Sequence, residues 1–112
     1  MKYLMLICTD SSVVPSSQQL AEMPAATEAW VKEMDASGVR VLGERLRPAS
    51  DATTVRVRDA GVLLADGPFA ETKEQIAGFD IIECADLDQA LDVAARHPVA
   101  RSGMIEVRPF WQ

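Results

Sequence analysis

Five side chains carry types and positions that suit acid–base chemistry on a small anion. Asp66 opens the run Asp66-Gly67-Pro68-Phe69. A carboxylate at a strand end beside a cleft can have its pKa raised by burial and act as a general acid or base. His97 is the sole histidine and the other candidate catalytic group, a proton shuttle if it faces that cleft. Lys73 and Arg108 are the candidates for holding negative charge, and Glu71 for orienting what Lys73 holds. Loops on rigid scaffolds commonly take such roles.

Each has a plainer account. Asp-Gly-Pro is turn chemistry: aspartate bonds nearby backbone, glycine takes the special angle and proline stiffens the exit. Glu71, Lys73 and Glu74 read as a solvated, self-paired charge cluster. His97, between Arg96 and Pro98, suits a helix end where positive charge meets the dipole. Glu106 and Arg108 share one strand face by alternation and can pair across a dimer interface.

Other chemistries lack support. The chain has no phosphate-binding glycine loop, Gly-x-Ser-x-Gly elbow or His-Glu-x-x-His motif. Cys8 and Cys84 lie in apolar runs without a Cys-x-x-Cys spacing or a nearby histidine, so no metal site is expected, and no cofactor. Both read as reduced core thiols, which suits the cytoplasm. Seventeen acidic residues against eleven basic ones give a net charge of −6, which disfavours binding to nucleic acid. Arg40, Arg45, Arg47, Arg56 and Arg58 cluster in the middle and read as solvated strand faces. Met1–Cys8 is apolar but too short to span a membrane and lacks a signal-peptide cleavage site, so no membrane association is expected.

These groups need elements to hold them, and 112 residues suit a single domain, residues 1–112. Tyr3–Cys8 is a continuous apolar run, the pattern of a strand buried on both faces. Ser16 or Ser17 caps a helical region that Pro24 divides into a short helix and a longer one, with Thr27, Trp30, Val31 and Met34 as its stripe and Gly38 at its end. Val39–Leu46 is a strand. Thr54–Arg58 alternates as a half-buried strand and returns through the turn Asp59-Ala60-Gly61, with glycine supplying a positive φ, to Val62–Ala65. Ala70–Ala77 reads as a loop with one helical turn. Phe79–Cys84 is a strand. Asp86, with Gln89 three residues on, opens a helix whose stripe is Leu87, Ala90, Leu91 and Ala94. Met104–Pro109 is the last strand.

Strand, helix, strand, hairpin, strand, helix, strand is a split βαβ pattern with an inserted β-hairpin: an α+β, ferredoxin-like antiparallel sheet with two helices on one face. The first strand wants burial on both faces, and two helices cover only one. A second copy on the open face would complete a dimeric α+β barrel, so a homodimer is expected.

The stretch Asp66-Gly67-Pro68-Phe69-Ala70-Glu71-Thr72-Lys73-Glu74-Gln75-Ile76-Ala77-Gly78 resembles the signature of the DGPF family, a branch of the YCII-related proteins. Met1–Ile7, Leu87–Leu91 with Ala94–Pro98, and Gly103 through Pro109 resemble that family's first strand, second helix and last strand. The resemblance implies a dimeric ferredoxin-like barrel. It further implies two functional expectations: a cofactor-independent acid–base enzyme or binder of a small anionic metabolite, or a regulatory module associated with sigma-factor signalling. One branch resembles a dehalogenating enzyme of aromatic degradation. Members thought to be enzymes have a histidine in the first helix; Ser16–Ser37 contains none here.

Overall fold

The computed structural model describes residues 1–111. The strands are β1 (Lys2–Asp10), β2 (Arg40–Arg45), β3 (Thr53–Arg58), β4 (Gly61–Asp66), β5 (Glu74–Glu83) and β6 (Met104–Pro109), and the helices α1 (Ser17–Ala36) and α2 (Leu87–Ala95). A four-stranded antiparallel sheet runs β2-β5-β1-β6, with β3 and β4 forming a separate two-stranded sheet. Without the hairpin, this is the ferredoxin-like order, and α1 and α2 cover one face of the larger sheet.

Alternation along β1 sorts the two faces. Tyr3, Met5 and Ile7 are buried against Trp30 and Met34 of α1 and Ala90, Val93 and Ala94 of α2. Leu4, Leu6 and Cys8 point to the other face and are half-buried.

Two bulges adjust the register. Ala77 is extra in β5, since Ile7 pairs with Gly78 but Cys8 with Ile76. Val41 is extra in β2, between Arg40 opposite Ile82 and Leu42 opposite Ile81. The second bulge puts Arg40 and Gly43 on the helix side together.

Helix α1 is one helix, not two. Ser16 and Gln19 form a reciprocal capping box, and Pro24 lies inside. Proline removes one intrahelical bond, but residues 17–22 are all exposed, so the freed Leu20 carbonyl can turn to water. Trp30 and Met34 anchor the turns that follow. Gly38, at φ 75°, ends the helix as expected.

Helix α2 buries Ala90, Val93 and Ala94, while Leu87 and Leu91 remain about half exposed. Small residues let the helix approach the sheet closely, and the leucines flank the contact. Asp86 caps the Gln89 amide, but Gln89 Oε1 accepts from Ala85 N rather than from the cap itself.

The expected helical turn within 70–77 is absent, because β5 begins at Glu74. The β3–β4 hairpin is not half-buried: Val55, Val57, Val62 and Leu64 are all more than half exposed. Its tight turn puts the positive φ on Asp59 (49°) and Ala60 (62°), while Gly61 is already in β4. Positive φ at both central residues marks a type I′ turn, whose twist matches that of the paired strands.

Candidate functional site

The open face of the larger sheet brings apolar and charged groups together. By register, Leu4, Leu6, Phe79 and Ile81 form its half-buried centre, with Leu42 toward the β2 edge. Strand β6 lies beside β1 and places Arg108 opposite Leu4 and Glu106 opposite Leu6, on the same face. Arg108 Nη2 and Glu106 Oε2 are 2.5 Å apart, and the Arg108 side chain is 68% exposed. Burial, and then the Glu106 carboxylate, push the Cys8 thiol up from its usual pKa. Cys8 is therefore held as a thiol rather than a nucleophilic thiolate.

Lys73 sits at the end of β1. Its carbonyl accepts from Ser11 N (2.8 Å). Asp10 at that end accepts from Ser12 Oγ (2.6 Å) and Ser12 N (2.9 Å). These two bonds hold the Asp10 carboxyl below the usual range, and the Lys73 charge adds to them. Glu71, Lys73 and Glu74 are all exposed, and no ion pair joins them among the described residues, so the self-paired cluster does not form.

Asp66 ends β4 opposite Thr53 and is exposed. By alternation it shares the hairpin face of Val55, Val57, Val62 and Leu64. The turn after it is tied by other residues: Gly67, at φ 95°, donates its N–H to the Ala52 carbonyl (2.6 Å), and Thr54 Oγ1 donates to the Gly67 carbonyl (2.8 Å).

His97 lies on the opposite side of the sheet from Arg108, within the core, at 4% exposure. Its ring meets Trp30 edge-on, centroids 4.7 Å apart. Nδ1 accepts from Val99 N (3.1 Å), capping the 3-10 turn Pro98–Arg101. Burial lowers its pKa to about 4. The imidazole is therefore neutral near pH 7, and the expected positive charge at the α2 terminus is absent. Arg96 supplies the charge there, pairing with Glu33 of α1 at 2.5 Å.

Thus Arg108 belongs to the sheet, Glu71 and Lys73 to the loop that leads into β5, Asp66 to the hairpin and His97 to the core. Among the described residues, no hydrogen bond or ion pair joins any two of the five candidates. Neither of two open grooves includes them. One, of about 500 Å³, is lined by Leu46, Arg47, Pro48, Asp51 and Ala52; the other, of about 450 Å³, by Met1, Lys2, Glu83, Phe110 and Trp111. Among the described residues, no three His, Cys, Asp or Glu side chains converge to hold a metal ion. Among the described residues, no helix is long and apolar enough to cross a membrane.

One charged constellation was not anticipated. Arg40 is not a solvated strand cation: its side chain is 16% exposed, and Nε lies 2.8 Å from Oδ1 of the buried Asp80. Arg40 also donates to the Gly43 carbonyl (3.0 Å) and to Asp35 Oδ1 (3.2 Å). Burial pushes the Asp80 carboxyl up, and the hydrogen bond and charge of Arg40 pull part of the way back. A Cβ at Gly43 would overlap the Asp80 carboxylate. The available signal was Asp80 itself, a lone carboxylate in the apolar run 79–82.

A protein of Rhizobium meliloti (strain 1021), described only as uncharacterized, is 40% identical over 103 residues, covering 77% of this chain and 83% of its own. The fold matches a solved structure of 5-chloro-2-hydroxyhydroquinone dehydrochlorinase (TftG) from Burkholderia phenoliruptrix AC1100, in complex with 2,5-dihydroxybenzoquinone. The TM-score is 0.54 at 14% identity, over 100% of this chain and 95% of the other. The YCII-related domain matches residues 1–112, and the chain belongs to that family.

Proposed function

We propose that the protein is a cytoplasmic homodimer that binds a small, anionic, oxygen-bearing ring compound over the open face of its sheet and acts on it by acid–base chemistry without a cofactor. The observation that carries this reading is the face itself: half-buried apolar side chains at Leu4, Leu6, Phe79 and Ile81, with Arg108 beside them. A flat apolar floor suits a ring, and a guanidinium at its edge suits a carboxylate or phenolate. Glu106 holds Arg108 in place until the ligand's negative charge takes over the pair.

Asp66 is the proposed acid or base, and Lys73, with Glu71 beside it in the loop, attracts the anion at the sheet end. His97 has a part only through packing, because its neutral ring lies on the helix side. The unpaired state of Cys8 and Cys84 supports a reducing compartment. The ligand of the dehydrochlorinase with the same fold, an oxygenated six-membered ring, supports the choice of ligand class.

Calorimetric titration with 2,5-dihydroxybenzoquinone and with 2-hydroxybenzoate tests the reading. Wild type should bind at least one probe, and Arg108→Ala should weaken it by roughly tenfold or more, the loss of one charge-assisted hydrogen bond. Binding that is unchanged in Arg108→Ala would contradict the assignment. If neither probe binds, the regulatory alternative, partner recognition in sigma-factor signalling, takes its place.

A further inference from the structure

We infer that the β3–β4 hairpin is a dimerisation arm, packing its apolar face on the same second copy that covers the open sheet. This rests on the homodimer proposed above and assigns a separate surface to it.

The arm has an apolar face and nothing in its own chain to cover it. Thr53, Val55 and Val57 of β3 pair with Asp66, Leu64 and Val62 of β4, so all six side chains lie on one face. Val55, Val57, Val62 and Leu64 are 61%, 58%, 65% and 68% exposed. An isolated two-stranded hairpin is marginal in water and needs a further surface to persist.

The amount of exposed surface fits a chain that has lost a partner. A folded monomer of this mass is expected to expose about 6,100 Å² and to have a radius of gyration of about 13 Å. This protomer exposes 7877 Å² and has a radius of gyration of 16.0 Å. The excess, about 1,800 Å² per chain, falls within the range that obligate dimers bury, roughly 2,000 to 5,000 Å² for both chains together.

The excess surface selects a second copy as the occupant, and the charge of the arm does not oppose it. The arm itself, residues 53–66, is neutral: Arg56 and Arg58 balance Asp59 and Asp66, so it can approach another copy without the repulsion that the chain total of −6 would bring. Arg56 and Arg58 alternate with the arm valines and so stand on its other face, with Leu63. The exchange is reciprocal, so a single two-fold axis satisfies both arms and closes the assembly.

The arm also moves a proposed functional group. Asp66 lies at the root of the apolar face, so docking carries it into the interface. Each site would then draw Arg108 from one chain and Asp66 from the other, which accounts for the absence of a contact between Asp66 and Arg108 within one protomer.

Sedimentation equilibrium of wild type and of the double variant Val57→Asp/Leu64→Asp tests this, with hydrogen exchange of residues 55–64 followed over a dilution series. Both substitutions are at exposed positions, and far-UV circular dichroism checks that the variant folds. The expected result is a wild-type dimer, arm amides that lose protection as it dilutes, and dimerisation at least tenfold weaker in the variant. A wild-type dimer with unchanged affinity in the variant overturns the arm and leaves the sheet-face dimer standing. A monomeric wild type overturns both and gives the surface to a different protein; the calorimetric titrations judge ligand binding independently.

Discussion

Arg40 and Asp80 form a buried ion pair at 2.8 Å between β2 and β5, on the helix side of the sheet. The Val41 bulge makes it possible by turning Arg40 and Gly43 to the same side, and Gly43 leaves the space that the carboxylate fills. The pair joins an inner strand to the β2 edge and, through Asp35, to the end of α1.

Breaking this pair from one side should be costly. Arg40→Ala leaves the Asp80 carboxylate buried without its cation and is expected to destabilise the fold by roughly 3 kcal/mol. Gly43→Ala should cost about 1–3 kcal/mol, because the new methyl displaces the carboxylate. Urea unfolding of both variants measures this. Destabilisation of Arg40→Ala by less than about 0.5 kcal/mol, the scale of a surface substitution, would show that the pair contributes little.

His97 should give the protein an acid-sensitive step. Its folded pKa is lowered to about 4, below that of an exposed histidine, about 6.5. The unfolded chain therefore binds the proton first. The stabilisation is complete above about pH 6.5 and is lost as pH falls toward 4, by an amount on the order of 3 kcal/mol. Asp80 works with the opposite sign: its raised pKa gives stability that is present below its unfolded pKa and lost as pH rises through its folded one, so it softens acid unfolding below the histidine range. His97→Phe keeps a ring against Trp30 but cannot titrate, and should flatten the dependence of urea stability on pH between 6.5 and 4. An unchanged slope in that variant would assign the acid sensitivity to other groups.

Ala60 is held at φ 62° in the hairpin turn, a conformation glycine adopts freely and alanine does not. Ala60→Gly creates the Asp-Gly pair that type I′ turns favour and should stabilise the hairpin by about 1 kcal/mol. Amide exchange at Arg56 and Leu63, a hydrogen-bonded pair of the ladder, should slow by roughly fivefold, and Ala60→Val should speed it. Faster exchange in Ala60→Gly would contradict the turn assignment.

Element order and the two-layer architecture were legible from local pattern. The apolar run Tyr3–Cys8, the alternation of 54–58 and the cap at Asp86 each specify an element through contacts a few residues apart. Features that depend on tertiary surroundings were not legible. Pro24 tolerates a helical position because solvent reaches one side of α1 while Trp30 and Met34 hold the turns that follow. Leu87 and Leu91 stand aside because the alanines of α2 pack closer to the sheet. Alternation in β3 marked a two-faced strand correctly, yet could not tell that neither face is covered within the chain. For the candidate site, residue type pointed to Asp66, Lys73, His97 and Arg108, but only the strand register separates the open face of Arg108 from the core side of His97. Asp80 and Arg40 lie forty residues apart, and no local pattern links them.

The most direct measurement is a crystal structure of the protein soaked with hydroxylated benzoic acids and 2,5-dihydroxybenzoquinone. The account predicts density for a ring over Leu4, Leu6, Phe79 and Ile81, with its negative oxygen on Arg108 and a second copy closing the face. An open sheet filled by the side chains of another chain, with no space for a ligand beside Arg108, would contradict it.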